Sequence, residues 1–374
     1  SKFFIPEEVK KHYQDTFIAR GKEAFKNWNR QLETYSKEYK DDYLTFVKSL
    51  KGEIDDNINV EFDPSKQIST RVASGKILNA LSELNPTLIG GSADVASSVM
   101  TKLTNGTDFK FGNRNGNNIN FGVREFAMAC IQNGILLHGG LRTYVGSFFV
   151  FCDYMKSAMR TSCLSNLPAI YLFSHDSIAV GEDGPTHQPV EQLIALRSIP
   201  NLDVYRPADS NEVIGSYKAI FENRKPAALV LGRNKVEINE FTNINETMKG
   251  AYVLEKERKK LDAVIITTGE ELSLTTKVKK ELESKGYSIR IVSMPSIEVF
   301  ERQDEKYKKE IIPDDTKVFV IEASSSYSWY KYVKDDNYLF TINEFGYSGK
   351  KDDVLTKLHF TEKDIIKKIE ELLN

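Results

Sequence analysis

Ala169-Ile-Tyr-Leu-Phe173, followed at once by Ser174-His175, is a short apolar run that stops on polar residues. A run of this length bounded by polar residues reads as a strand buried on both faces. The form recurs at Thr87 to Ile89 before Gly90-Gly91, at Leu202 to Tyr205 before Arg206-Pro207, and at Ala228 to Leu231 before Gly232-Arg233. Helical stretches separate these runs, and strands alternating with helices make a parallel sheet covered on both sides. Ligands in such sheets sit outside the carboxyl ends of the strands. The polar residues just named fall at those ends.

Outward from this core, a second alternating unit begins near Gly250. It reads as strand 263–267, helix 271–285, strands 288–293 and 317–321, and a closing helix from Glu362. The expected fold class is α/β, two domains each with a mostly parallel sheet flanked by helices. Upstream, Pro6 with Glu7 and Glu8, then Phe25, Trp28, Leu32 and Tyr35 at helical spacing, predict helices. Gly52, several Asp and Asn, and Pro64 interrupt that pattern before Ser69. The expected boundaries are a helical interdomain linker at 1–68, one sheet domain at 69–240 and another at 241–374.

The chain has 374 residues, with 51 Lys and Arg against 53 Asp and Glu for a net charge of −2. The charges are interspersed, so no basic block marks a nucleic-acid footprint. No apolar run approaches the roughly 18 to 20 residues of a membrane span, and no secretory leader is recognisable. The three cysteines, Cys130, Cys152 and Cys163, are scattered and suit a reducing cytoplasm. The first residues, Ser-Lys-Phe-Phe, lack a methionine and are read as a cut or engineered start.

Two constellations carry chemistry. Gly181-Glu-Asp-Gly-Pro-Thr-His-Gln-Pro-Val-Glu-Gln192 is too rich in Gly and Pro for regular structure, so it is a loop that places Asp183 and His187 beyond a strand end. A carboxylate and an imidazole on a rigid loop can read hydroxyls and donate protons; equally, Asp183 could cap backbone amides and His187 lie satisfied on the surface. In Phe121-Gly-Val-Arg-Glu-Phe-Ala-Met128, Glu125 opens an apolar helix. There it either complements the helix start, worth about 0.3 to 1 kcal/mol, or faces an apolar cavity as a proton-holding carboxyl. Phe148, Phe151 and Tyr154, three residues apart, are expected on one helical face, as core or as a ring-binding wall.

Arg71 in STRVAS, GGSADVASS, GVREFAM, LHGG, SFFVFCDY, SHDS, GEDGPTHQPVEQ, RPAD and VSMPS occur in this order. From Ile5 to its end the chain resembles the C-terminal two thirds of transketolase, a thiamine diphosphate enzyme. The resemblance implies reversible transfer of a two-carbon ketol unit between ketose and aldose phosphates, a reaction of the pentose phosphate pathway. It implies that Glu125 contacts N1′ of the cofactor's aminopyrimidine, where a protonated carboxyl favours the 4′-imino tautomer. Phe148, Phe151 and Tyr154 match the pocket around that ring, and Asp94 a position near the thiazolium.

On the substrate side, His187 matches the residue that handles the donor's C1 and C2 oxygens, and Asp183 the reader of the acceptor's C2 hydroxyl. Arg71, Ser98, His175 and Arg233 match the clamp on the sugar phosphate, for which a guanidinium fork offers paired charge-assisted hydrogen bonds. There are departures. Ser97 and Val99 flank Ser98 where the family commonly has Pro and Asn, and Gly346-Tyr-Ser-Gly349 replaces Gly-Glu-Ser-Ala, with no catalytic residue expected to depend on it. His138 beside Gly139 and Gly140 is read as structural.

No metal-binding motif is found. Asp183-Gly184 followed by Asn211 imitates the family's Mg²⁺ signature, but Glu182 stands in place of the first glycine and Pro185 follows, so it is rejected. The resemblance places Mg²⁺ and the cofactor's diphosphate on an N-terminal pyrophosphate-binding domain that this chain lacks. The expectation is a cytoplasmic homodimer in the complete enzyme and a truncated chain that is inactive, and binds thiamine diphosphate weakly, alone. A C-terminal subunit of a split transketolase and a noncatalytic dimerisation or regulatory module are the competing readings.

Overall fold

Six strands form the first sheet: β1 (Leu88–Ser92), β2 (Asn118–Asn120), β3 (Arg142–Phe148), β4 (Ile170–Ser174), β5 (Asp203–Tyr205) and β6 (Ala227–Leu231). The computed structural model describes residues 2–374. The strand order is β2-β1-β3-β4-β6-β5, and every pairing is parallel. Strands buried on both faces need no alternation, and β1, β4 and β6 are buried throughout. One core cluster packs Phe149, Met155, Tyr171 and Phe173 on one side of the sheet. The other packs Ile77, Leu81, Tyr144 and Leu172.

The sequence pattern passes over β2 and β3. β3 reads Arg-Thr-Tyr-Val-Gly-Ser-Phe, too polar for a buried strand by composition. It is buried all the same, with the Tyr144 hydroxyl donating to Thr101 O at 2.8 Å, while Arg142 Nε and Thr143 Oγ1 find no partner among the described residues. The aromatic run also departs from expectation. Phe148 ends β3, Phe151 closes a single 3₁₀ turn (Phe149–Phe151), and Tyr154 lies in the first turn of helix Cys152–Leu164. The three rings do not share one helical face.

The second sheet contains β7 (Tyr252–Glu255), β8 (Ala263–Thr267), β9 (Ile289–Ser293), β10 (Lys317–Ile321) and β11 (Leu339–Phe340). Its order is β11-β10-β8-β9-β7, parallel except for β7 against β9. The strands at 263–267 and 317–321 and the helix from Glu362 stand where the apolar pattern puts them. At the carboxyl end of β10, Glu322 is fully buried and accepts a bidentate pair from Arg197 at 2.8 and 2.9 Å.

Residues up to Glu53 form a separate compact unit. It holds helices Glu7–Tyr13, Ala19–Glu38 and Lys40–Leu50, with a π-helical turn at Gln14–Ile18, and none of them buries a residue. Within it Trp28, Leu32, Tyr35 and Phe46 line an apolar cleft. From Ile54 the chain belongs to the sheet-bearing unit, and Ile54, Ile58, Val60, Phe62 and Ile68 pack against its core. No described helix is long and apolar enough to cross a membrane.

Candidate functional site

β1, β3, β4 and β6 are contiguous in the first sheet, so the loops at their carboxyl ends converge. Arg71 joins them from the first turn of helix Thr70–Leu84. That turn is docked on the end of β6: Gly232 N donates to Thr70 Oγ1 at 2.7 Å, and Arg71 N donates to Gly232 O at 3.3 Å. The Arg71 Nη1 then donates to Ser98 O at 2.7 Å, which ties the loop after β1 to the same cluster. Its buried Nε has no partner among the described residues.

Opposite Arg71, Arg233 Nη1 pairs with Asp183 Oδ2 at 2.7 Å, and that oxygen lies 3.9 Å from His175 Nε2. Asp183 therefore neutralises a cation and does not cap backbone amides. Burial drives His175 down to about 4, with the charges of Arg71 and Arg233 acting the same way against Asp183 and Asp176. The imidazole is neutral at physiological pH and its Nδ1 is 2.8 Å from Ser174 Oγ. Arg71 is also lowered, by burial first and then by Arg233. Two mutually repelling guanidiniums beside a neutral imidazole form a site that a dianion would relieve.

An aromatic wall adjoins this cluster. The His175 ring centroid is 4.1 Å from Phe148, the His187 centroid is 5.4 Å from Phe151 and 6.0 Å from Phe148, and Phe151 is 6.1 Å from Tyr154. Phe148 and Phe151 are half-buried and Tyr154 is 67% exposed, so all three rings are in part open to solvent. His187 is half-buried, its Nδ1 2.9 Å from Thr186 Oγ1. Glu125 opens helix Glu125–His138, a few residues beyond the end of β2, which brings it to the same end of the sheet. Asp94, exposed, has φ +64 in the turn after β1. His138 lies exposed, its Nδ1 3.1 Å from Gly139 O.

The loop Gly181–Gln188 is braced from the second sheet's domain. Gln188 Nε2 donates to Gly181 O and to Tyr347 O, both at 2.9 Å, and Ser348 Oγ donates to Glu182 O at 2.8 Å. A Cβ on Gly346 would fall 2.2 Å from Gln188 Oε1. Gly346-Tyr-Ser-Gly349 thus supports the loop that carries Asp183 and His187, a dependence left out by the expectation that no catalytic residue relies on it. Its role was hidden because the two segments are distant in sequence. Among the described residues no cluster of His, Cys, Asp or Glu is placed to hold a metal ion.

The family profile described as transketolase, pyrimidine binding domain, matches residues 66–238, and that described as transketolase-like TK C-terminal domain matches 250–361. The chain belongs to the transketolase family. It is 42% identical to a probable transketolase of Streptococcus pneumoniae over 99% of this chain and 57% of that protein. It is 38% identical to a Bacillus subtilis transketolase over its full length and 57% of the relative.

Among solved structures, Pichia stipitis transketolase in complex with sedoheptulose-7-phosphate superimposes with a TM-score of 0.94 at 34% identity, covering 100% of this chain and 56% of that one. A split-gene transketolase described as an inactive β4 tetramer gives a TM-score of 0.65 at 22% identity, covering 82% of this chain and 98% of that one. At that identity the likeness shows the fold alone. The chain thus spans little more than half the length of its curated relatives.

Proposed function

We propose that this chain supplies the ring-binding and sugar-phosphate-binding half of a transketolase active site, for reversible transfer of a two-carbon ketol unit between ketose and aldose phosphates. In this reading residues 69–240 are the pyrimidine-binding domain, 241–374 the C-terminal domain and 1–68 the linker. The observation that carries it is the meeting of Arg71, His175, Arg233 and Asp183 beside the wall of Phe148, Phe151 and His187. A phosphate sits on the guanidiniums, where paired charge-assisted bonds form, and Ser98 lies within the same cluster.

The residues present fit one half of thiamine diphosphate. The partly exposed rings of Phe148, Phe151 and Tyr154 suit a flat aminopyrimidine, with stacking worth roughly 0.5 to 1.5 kcal/mol per pair. With the cofactor bound, Glu125 would face ring N1′ and Asp94 the thiazolium, and the cofactor would supply the carbon that carries the ketol unit. His187 and Asp183 address the hydroxyls of donor and acceptor. In this reading the diphosphate and its Mg²⁺ are held by an N-terminal pyrophosphate-binding domain, and the isolated chain is expected to be inactive. The reading extends to a cytoplasmic enzyme of the pentose phosphate pathway.

Mixing the chain with an N-terminal pyrophosphate-binding domain and assaying ketol transfer tests this reading; absence of turnover at every ratio would leave it a noncatalytic module. In the restored enzyme, Arg71→Ala is expected to raise KM roughly 10- to 150-fold for phosphorylated sugars, the loss of one charge-assisted bond. Unphosphorylated analogues should be nearly unaffected. Equal losses on both would count against the clamp.

A homodimer belongs to the same proposal. Helix Glu125–His138 carries an exposed apolar stripe, with Phe126 53%, Ile131 47% and Leu137 67% accessible, and Val123 beside its start 74%. A stripe of this kind suits a self-complementary two-fold contact. Ile131→Asp is expected to weaken self-association about 10- to 100-fold, from the lost burial of one aliphatic side chain. Sedimentation velocity over a concentration series reads it, and an unchanged dimer constant would remove the stripe from the interface.

A further inference from the structure

In an open parallel sheet the ligand crevice opens outside the carboxyl ends of the strands where chain order reverses. In the second sheet that place lies between β8 and β10. A guanidinium from the first sheet fills it. Arg206, the residue after β5, is completely buried, and its Nη1 donates to Thr268 Oγ1 at 3.0 Å and to Glu271, while Nη2 donates to Glu271 Oε1 at 3.1 Å. Glu322 Oε1 lies 3.9 Å from Nη1. Gly269, at φ +60, makes room: a Cβ there would come within 2.7 Å of Arg206 Cζ. The backbones are joined too, Arg206 N donating to Pro295 O at 2.8 Å and Gly269 N to Arg206 O at 3.1 Å.

The other edge of the same guanidinium faces the candidate site. Nε and Nη2 donate to Asp176 Oδ2 at 3.0 and 2.7 Å. Asp176 follows His175, whose φ of +65 is the left-handed region that a histidine adopts only when its surroundings hold it there. The neighbouring Glu270 makes a parallel brace. Its carboxylate accepts from Asn234 Nδ2 at 3.0 and 3.2 Å and from Lys351 Nζ at 3.1 Å, and Asn234 follows Arg233. Two adjacent carboxylates at the start of helix Glu271–Ser284 therefore reach the candidate site, Glu271 through Arg206 and Asp176 to His175, and Glu270 through Asn234 to Arg233.

We propose that the Glu270–Glu271 pair is a positioning device for the anion cluster, acting through Arg206 and Asp176 on His175 and through Asn234 on Arg233. The second domain then sets the geometry of a site to which it contributes no ligand-binding residue. This rests on the proposed function only for the identity of the anion. The bracing itself is a property of the ligand-free chain and is tested there.

The test uses the full chain carrying ¹³C-labelled histidine rings and ¹⁵N-labelled arginine. His175 lies 4.1 Å from the Phe148 ring and so carries a ring-current shift that reports its position. Glu271→Gln keeps the size of the side chain and removes its charge. It is expected to move the His175 ring resonances toward those of an exposed histidine while leaving His12, His138 and His359 in place, and to weaken binding of inorganic phosphate about 10-fold. Glu270→Gln leaves the Arg206 fork intact and is expected to shift the Arg233 Nε resonance instead, so this arm remains decisive if Glu271→Gln does not fold. Resonances of His175 and Arg233 unchanged in folded variants would overturn the proposal. Wild-type resonances that ignore added phosphate would instead overturn the anion reading of the site, while the ligand-free comparison still decides the bracing.

Discussion

Glu125→Ala, assayed in the chain combined with an N-terminal pyrophosphate-binding domain, is expected to lose kcat by about 10²- to 10⁴-fold, the range of a removed proton-transfer group. KM for sugar phosphates should hardly change. The clamp of Arg71, His175 and Arg233 is assembled from the ends of β4 and β6 and the helix at Thr70, and none of its recorded hydrogen bonds or ion pairs involves Glu125. The fold should tolerate the change, since a carboxylate in a first helical turn contributes only about 0.3 to 1 kcal/mol. Glu125→Gln is expected to lie between wild type and alanine, because an amide can still donate to a ring nitrogen but cannot share its proton. Steady-state kcat and KM for a ketose phosphate donor make the measurement. Wild-type kcat in the alanine variant would take Glu125 out of the chemistry and leave it a helix-start residue.

What the sequence disclosed follows from the range of the interactions involved. β4, β8 and β10 are legible because a strand buried on both faces must be apolar almost throughout, a local property. β3 is not, since it is polar in composition and its partners are far away in sequence: the Tyr144 hydroxyl donates to Thr101 O, and the Thr143 carbonyl accepts from Gln132 Nε2 at 3.2 Å. A spacing of three does not distinguish a helix from a strand end, a 3₁₀ turn and a helix start in succession, which is how Phe148, Phe151 and Tyr154 are placed.

The site divides in the same way. Polar residues at strand ends point to His175 and Arg233, and the Gly- and Pro-rich loop to Asp183 and His187. What holds them is illegible in any local window. The pair Arg233–Asp183 spans 50 positions and Arg206–Glu271 spans 65. The loop at Gly346–Gly349 meets Gln188 across 159. The chain's second domain is therefore visible in sequence as a fold and only in the structure as a support.

That support should also govern stability, and Glu322→Gln is expected to destabilise the chain by about 3 to 5 kcal/mol near neutral pH, the penalty for leaving buried charge uncompensated. Glu322 accepts from Arg197 twice, from Thr268 Oγ1 at 2.7 Å, from Ser324 Oγ at 2.6 Å and from Trp329 Nε1 at 2.7 Å. Burial alone would push its carboxyl up. The charge and hydrogen bonds of Arg197, with Arg206 and Ser324 behind them, prevail and bring it from 4.5 down to about 2. Because the folded value lies below the unfolded one, this stabilisation is complete above about 4.5 and is lost as pH falls toward about 2, a change on the order of 3 kcal/mol. The gap between wild type and variant should therefore narrow on acidification. Urea unfolding in steps from about pH 7 to about pH 3 reads the gap directly. A gap that stays constant would mean that the Glu322 charge contributes nothing to the fold.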